Sequence, residues 1–177
     1  MKPIQLRFTI PFNRDIYLHQ VKLILPLAYK KYFKEGRETL LVGLISTLIG
    51  ILILMDKSYL GNVFIVLGFV FIIKAYLRFQ LYYKLKNESF ENVRQQINEG
   101  EFDSTTGIFE FNDDTIIYIY NDTKTETDWK DFKKFKIIDS NLLLVLNQEE
   151  ANIMAIGENE IGKENFSKLI DFVKSKI

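Results

Sequence analysis

Two uninterrupted apolar runs dominate the pattern along this chain. TLLVGLISTLIGILILM, Thr39–Met55, contains no charged residue, and YLGNVFIVLGFVFII, Tyr59–Ile73, follows after the polar turn Asp56-Lys57-Ser58. At a helical rise of about 1.5 Å per residue the first run spans roughly 26 Å, close to the thickness of a hydrocarbon core. The second reaches about 28 Å if it continues to Leu77, with Lys74 extending its ammonium towards the headgroups. Each Leu, Ile, Val or Phe favours insertion by about 0.3–0.6 kcal/mol, and no charge inside the first run opposes them. The pattern predicts a membrane-spanning helical hairpin over 39–77. The competing reading is a buried hairpin in a soluble protein, which would also be apolar on all sides. Gly43, Ser46, Thr47 and Gly50 lie on neighbouring turns of the first run, and Gly61 and Gly68 are seven apart on the second. Small residues permit close helix approach in lipid, although Gly is also simply commoner in membrane helices.

The flanks carry other periods. In IQLRFTI, residues 4–10, Ile4, Leu6, Phe8 and Ile10 alternate with polar positions, which predicts a half-buried strand ended by Pro11. Asn13 is a suitable N-cap for a helix beginning near Arg14, with Asp15 favourable in its first turn. Ile16, Val21, Ile24 and Ala28 would form its apolar stripe, and Pro26 predicts a kink or break. After the second run, Tyr76, Phe79, Tyr82 and Tyr83 alternate with Arg78, Lys84 and Lys86, as in an interfacial belt. Phe90, Val93 and Ile97 continue the helical spacing, and Gly100 is a suitable terminator.

From Thr105 the pattern shortens to strands at about 106–112, 115–121, 123–128, 133–139, 142–147 and 151–156. They are separated by Asn112-Asp113-Asp114, Asn121-Asp122, Asp139-Ser140-Asn141 and Asn147-Gln148-Glu149-Glu150, all turn chemistry. The continuous run LLLV at 142–145 predicts a central strand. Gly162 precedes an amphipathic helix with Phe166, Leu169, Ile170 and Val173 at helical spacing, its Lys174 and Lys176 near the negative end. Six strands and a closing helix suggest a small, partly open barrel. A seventh strand from residues 4–10 would complete a pleckstrin-homology-like arrangement, because two spans return the chain to the side it left. The predicted fold class is therefore an α+β membrane protein, a two-helix transmembrane hairpin with a small cytoplasmic pleckstrin-homology-like β-barrel or sandwich closed by a C-terminal helix. The expected organisation is 1–38 (strand and helix packing with the cytoplasmic domain), 39–77 (hairpin), 78–100 (juxtamembrane helix) and 101–177 (C-terminal domain).

Charge refines the topology. The 23 basic and 23 acidic residues cancel, but residues 1–39 carry eight basic and three acidic groups (+5), 74–99 five and three (+2), and 100–177 nine and sixteen (−7). Positive charge beside both spans, with only the Asp56/Lys57 pair between them, predicts both termini in the cytoplasm and location in the cytoplasmic membrane. No cysteine is present, so disulfides and thiolate metal sites are excluded. The first apolar run starts too far into the chain for a cleavable signal peptide, so the hairpin is expected to act as its own targeting signal.

Candidate chemistry is sparse. His19 is the only histidine, which leaves a His-based triad or His-rich metal site without a second member. The scattered glycines form no phosphate loop. Asp113-Asp114 and Glu149-Glu150 read as hairpin turns, lacking the spaced ligands of a calcium loop. No catalytic residue, metal or cofactor is implied. The one candidate interaction surface is WKDFKKFK, in which Trp129, Phe132 and Phe135 recur every three residues among Lys130, Lys133, Lys134 and Lys136. Such a face could lie on an anionic leaflet, each Lys contributing about 1 kcal/mol. Alternatively the aromatics fill the core and the lysines are merely solvated. Nucleic acid is disfavoured as a partner because the distal domain is acidic.

The order of elements, together with FTIPFNRDIYL, GIFEFNDDTI, TETDWKDFKKF and NLLLVL, resembles the YcxB-like family of bacterial membrane proteins. The resemblance covers nearly the whole chain in architecture, with Trp129 and its neighbours its distinctive part. Where the family usually shows Pro-Lys, this chain reads Ala155-Ile156-Gly157, so any role of that Lys does not carry over. The resemblance implies a pleckstrin-homology-like cytoplasmic domain of no established biochemical activity. The expected function is a non-enzymatic, membrane-anchored interaction module that binds a protein, a peptide or lipid headgroups, by strand addition or in a groove beside the last helix. The alternative is an immunity or envelope-stress protein protecting against a membrane-active peptide or toxin.

Overall fold

The computed structural model describes residues 4–100, 106–121, 123–146 and 152–177. The chain is α+β and divides into two compact units, residues 29–89 and a discontinuous unit formed by 1–28 with 90–177. The first unit is a helical hairpin, α2 (Lys30–Met55) and the first part of α3 (Leu60–Asn98), preceded in the chain by α1 (Arg14–Ala28). Both hairpin helices are long and apolar enough to cross a membrane, and only 11% and 17% of their most apolar windows are buried. Leu48, Leu52, Val66 and Val70 are each more than half exposed. The fold of this chain therefore does not bury the hairpin as a soluble core would.

What is buried in the hairpin is small. Gly36, Gly43 and Gly50 on α2 and Gly61, Gly68 and Ala75 on α3 are buried at seven-residue intervals. A seven-residue repeat keeps one seam facing its partner along two helices. A Cβ placed on Gly50 would lie 2.7 Å from the Gly61 carbonyl oxygen, and one on Gly61 would lie 2.6 Å from that of Gly50. One on Gly43 would sit 3.0 Å from the Gly68 carbonyl oxygen, and one on Gly68 would strike the Thr47 hydroxyl. The Ser46 hydroxyl donates to the Phe64 carbonyl across the seam (2.9 Å). Beyond the glycines the seam becomes aromatic and charged. Phe33 packs on Phe79 and Tyr82, Arg78 pairs with Glu35 at 3.6 Å, and the Tyr29 and Ser89 hydroxyls meet at 2.6 Å.

The other unit is a two-sheet sandwich. One sheet has the order β1 (Leu6–Pro11), β2 (Thr106–Phe111), β3 (Thr115–Tyr120), β4 (Thr123–Asp128), and the other β5 (Phe132–Ile138), β6 (Asn141–Leu146), β7 (Ile153–Gly157). All neighbouring pairs are antiparallel. The N-terminal strand does join the C-terminal half, with Leu6 opposite Phe111, Phe8 opposite Phe109 and Ile10 opposite Gly107. Phe8, Ile10, Phe109, Phe111 and Ile116 from one sheet meet Leu142, Leu144, Leu146 and Ile156 from the other. Phe166, Leu169 and Val173 of α5 (Lys163–Lys174) close the core. β6 is buried at every position, as its continuous apolar run requires of a central strand.

Several boundaries differ from expectation for local reasons. Pro26 does not interrupt α1, which ends two residues later, with α2 beginning at Lys30. The helical spacing of Phe90, Val93 and Ile97 belongs to α3 itself, which runs without a break from Leu60 to Asn98, and Gly100 adopts φ +79° beyond its end. A short α4 (Glu158–Ile161) was absent from the helical pattern because four residues show no period. The turns at Asn121 and at Asp139-Ser140 adopt positive φ. The expected turn at 147–150, with Glu149-Glu150, lies outside the described residues.

Replacing Gly50 or Gly61 by Leu forces two backbones apart. Overpacking of this kind costs about 1–3 kcal/mol. Both variants are expected to melt at lower temperature than the parent chain in detergent, whereas Leu52→Val on the exposed face should not.

Candidate functional site

The segment Trp129–Lys136 divides into core and surface. Trp129 and Phe132 are each only 6% exposed and belong to the core, and Phe135 packs against it. They are therefore not available to an interaction face, and the surface reduces to lysines. Lys130, Lys133 and Lys134 are exposed and Lys136 is half-buried. Lys130 is paired with Asp128 at 2.7 Å, and this hydrogen bond raises its pKa. A three-residue spacing would put Phe132 and Phe135 on opposite faces of a regular strand. β5 avoids this with a bulge, where Phe132 is opposite Leu146 and Lys134 opposite the next residue, Val145. The extra residue, Lys133, restores both rings to the inside.

Trp129 is held by the preceding turn. Its indole Nε1 donates to the Asn112 carbonyl (2.9 Å) and its amide to that of Asp114 (2.9 Å). The Asn112 side chain in turn accepts from the amides of Asp114 (3.0 Å) and Thr115 (2.7 Å). The ring lies against Phe111, Phe132 and Phe172. Asp113 and Asp114 thus belong to a structural turn, and Asp113 pairs with Lys176 at 2.7 Å.

A second site comes from residues that the sequence pattern did not single out. A cleft of about 280 Å³ opens where the sandwich interior meets α1. Phe12, Tyr17, Phe109, Tyr118 and Tyr120 line it, together with Gln20 and Glu160. Strand alternation explains the tyrosines: Ile116, Tyr118 and Tyr120 share one face of β3, and only Ile116 is fully buried. Tyr118 packs on Phe109 with centroids 4.6 Å apart and on Tyr120 at 6.2 Å. Gly107 makes room for this ring, since a Cβ there would meet it at 3.1 Å. Phe12 and Tyr17 meet at 5.7 Å on the α1 side.

Glu160 is the one carboxylate among the described residues that line this cleft. Its Oε2 accepts from the Gly157 amide and from the Gln20 side-chain nitrogen, both at 2.6 Å. Gln20, itself buried, also reaches Asn141 Oδ1 at 3.3 Å. α4 is thereby tied to α1 and to the start of β6. Burial pushes the Glu160 carboxyl above its ordinary pKa, against the two hydrogen bonds, which hold it down. The Tyr17 phenol is also raised, first by burial and then by Tyr120, and that of Tyr118 first by burial and then by Tyr120, Tyr17 and Glu160. His19, the lone histidine, is exposed and lies 3.9 Å from Asp139, outside this cleft.

Three outcomes follow for this unit. Trp129→Ala is expected to destabilise it by about 3–5 kcal/mol through loss of a buried ring. Replacing Lys133 and Lys136 by Gln should leave the melting temperature unchanged and lower adsorption to anionic vesicles by about 1 kcal/mol per Lys. For Glu160 the folded state binds its proton more readily than the unfolded one. Its contribution is therefore most favourable below the unfolded pKa and is lost as pH rises through the raised folded value. Glu160→Gln should remove this loss, so urea titrations at stepped pH should show the variant gaining on the parent as pH rises from about 4.5 through that window.

No protein-family model matches the chain, and no curated protein is significantly similar to it, so what the cleft and the hairpin do has to be argued from their own geometry.

Proposed function

We propose that this protein is a non-enzymatic interaction module anchored in the cytoplasmic membrane, with the sandwich unit on the cytoplasmic side binding a protein, a peptide or lipid headgroups. The observation that carries the reading is an apolar hairpin, exposed along both helices, inserted between two strands that pair directly with one another. An exposed apolar surface of this extent needs a partner, and two helices of about 39 and 59 Å are long enough for lipid to supply it. Through their apolar parts the two helices approach most closely at glycines and hydroxyls, the packing chemistry of helices that gain nothing from excluding water. The basic excess beside both helices supports cytoplasmic termini.

The four-plus-three arrangement of antiparallel strands with a closing helix supports a pleckstrin-homology-like fold, and with the flanking hairpin it is consistent with membership of the YcxB-like family. The lysines of β5 suit an anionic leaflet, and the aromatic cleft offers a place for a small group. Binding rather than catalysis fits a cleft whose described lining holds one carboxylate and three phenols but no imidazole or ammonium.

The test is topological. Carbonate extraction should leave the chain in the membrane pellet, and epitope tags at both ends should be protected from protease added to intact spheroplasts. Release into the supernatant, or one tag cleaved while the other survives, would refute the anchor.

A further inference from the structure

We propose that β4 is a dimerisation edge, along which two copies of this chain pair antiparallel about a two-fold axis at Thr125. The assignment deepens the protein-binding part of the reading above and rests on it, but needs nothing from the membrane anchor.

The two sheets end in four edge strands, β1, β4, β5 and β7. Helix α4 packs with β1 and α1 with β7. β5 carries the bulge at Lys133 and three lysines, devices that blunt an edge against pairing. β4 is regular and open. Its six residues face β3 in unbroken register, and Thr123, Lys124, Thr125 and Glu126 are all exposed. Threonine, a β-branched residue suited to strands, recurs at every second position.

The hydrogen-bond phase of the sheet fixes what this edge offers. The Asn112 N–H donates to the Thr115 carbonyl (3.1 Å), and the Trp129 N–H donates to that of Asp114 (2.9 Å). Bonded pairs alternate along antiparallel strands, so both bonds make Ile116–Thr127, Tyr118–Thr125 and Tyr120–Thr123 the bonded pairs of β3 with β4. The N–H and C=O groups of Lys124 and Glu126 therefore point away from the sheet, free for another strand.

Charge then selects the partner and the register. A second copy of β4 can meet these groups with its own Lys124 and Glu126. A pairing centred on Lys124 sets lysine against lysine, and one centred on Glu126 sets glutamate against glutamate. Centred on Thr125, the sequence Thr-Lys-Thr-Glu-Thr inverts onto its own complement. Lys124 of each copy lies opposite Glu126 of the other, and on the opposite face Thr125 meets Thr125 and Thr123 meets Thr127. Opposite charges and threonine pairs stabilise antiparallel strands, and like charges destabilise them. Both charges are available for this. Among the described residues Lys124 has no ion-pair partner, and Glu126 is engaged only by the Thr115 hydroxyl (3.0 Å). An unrelated strand would find the same backbone groups, but the two-fold match of charge belongs to a second copy.

The parent chain has no cysteine, so a single introduced one reports its own neighbour. In the Thr125-centred register the two Thr125 form a non-bonded pair, with Cα atoms about 4.5 Å apart, a separation a disulfide can span. Full-length Thr125→Cys in proteoliposomes, oxidised with copper phenanthroline, is expected to give a disulfide-linked dimer faster than the exposed control Lys163→Cys on α5. Adding Lys124→Glu or Glu126→Lys turns two attractive pairs into two repulsive ones and should slow the reaction about tenfold. Mixing those two charge-reversed chains should restore the rate, because each Glu then faces a Lys. Circular dichroism checks that every variant is folded. A Thr125→Cys rate no higher than the control would overturn the pairing and leave the edge to an unrelated strand. So would a rate indifferent to charge reversal, or a mixture that stays slow. None of these outcomes touches the membrane anchor, which carbonate extraction reads.

Discussion

The pairing of β1 with β2 is the constraint on which the rest of this architecture depends. The chain leaves the sheet at Pro11 and rejoins it at Thr106, its immediate neighbour across six paired positions. Whatever lies between must bring the backbone back to within one interstrand spacing of its departure, about 4.8 Å. A hairpin of two antiparallel helices does this, whereas a single span would not. Close approach along the glycine seam keeps the two arms together, so the same small residues that pack the helices also help return the chain to the sheet. Loop-closure entropy grows only slowly with length, and a preformed hairpin reduces it further.

The sandwich is specified by a few irregular features as much as by alternation. Asn112 organises the β2–β3 turn with its side chain and anchors Trp129 with its carbonyl, linking a tight turn to the centre of the core. The bulge at Lys133 turns a three-residue aromatic period into a one-sided one, and it leaves Lys133 and Lys134, with Ile137, as the exposed residues of β5. Towards the C-terminal end of β3, tyrosines replace isoleucine and the packing opens into a cleft. Tyrosine is suited to that boundary because its ring can pack while its hydroxyl stays wet.

Glu160 gives that cleft its character. A carboxylate at the end of an aromatic cleft is costly unless something compensates it, and here two neutral donors do so only in part. Those donors come from α1 and from the end of β7, so the geometry of the cleft depends on the N-terminal helix remaining docked on the sheet of β5–β7. The shape of the cleft and the integrity of the discontinuous unit are therefore linked through one side chain.

Local period made much of this protein legible in its sequence. Charge-free runs, strict alternation at residues 4–10, the LLLV strand and the 166–173 stripe each report an interaction between a segment and its surroundings that repeats every few residues, so one segment is enough to read it. Asn112-Asp113-Asp114 was readable as a turn because its hydrogen bonds are closed within four residues. The facing of Gly50 on Gly61, the inward turn of Trp129 and Phe132, and the meeting of Tyr17, Tyr118 and Glu160 were decided only in three dimensions. Each depends on a register between segments far apart in the chain or on a one-residue bulge, and neither leaves a periodic mark. The sequence thus determined which segments are apolar throughout and which form sheet or helix, while the tertiary structure decided which side chains share a space, because proximity across such separations is set by packing and not by order.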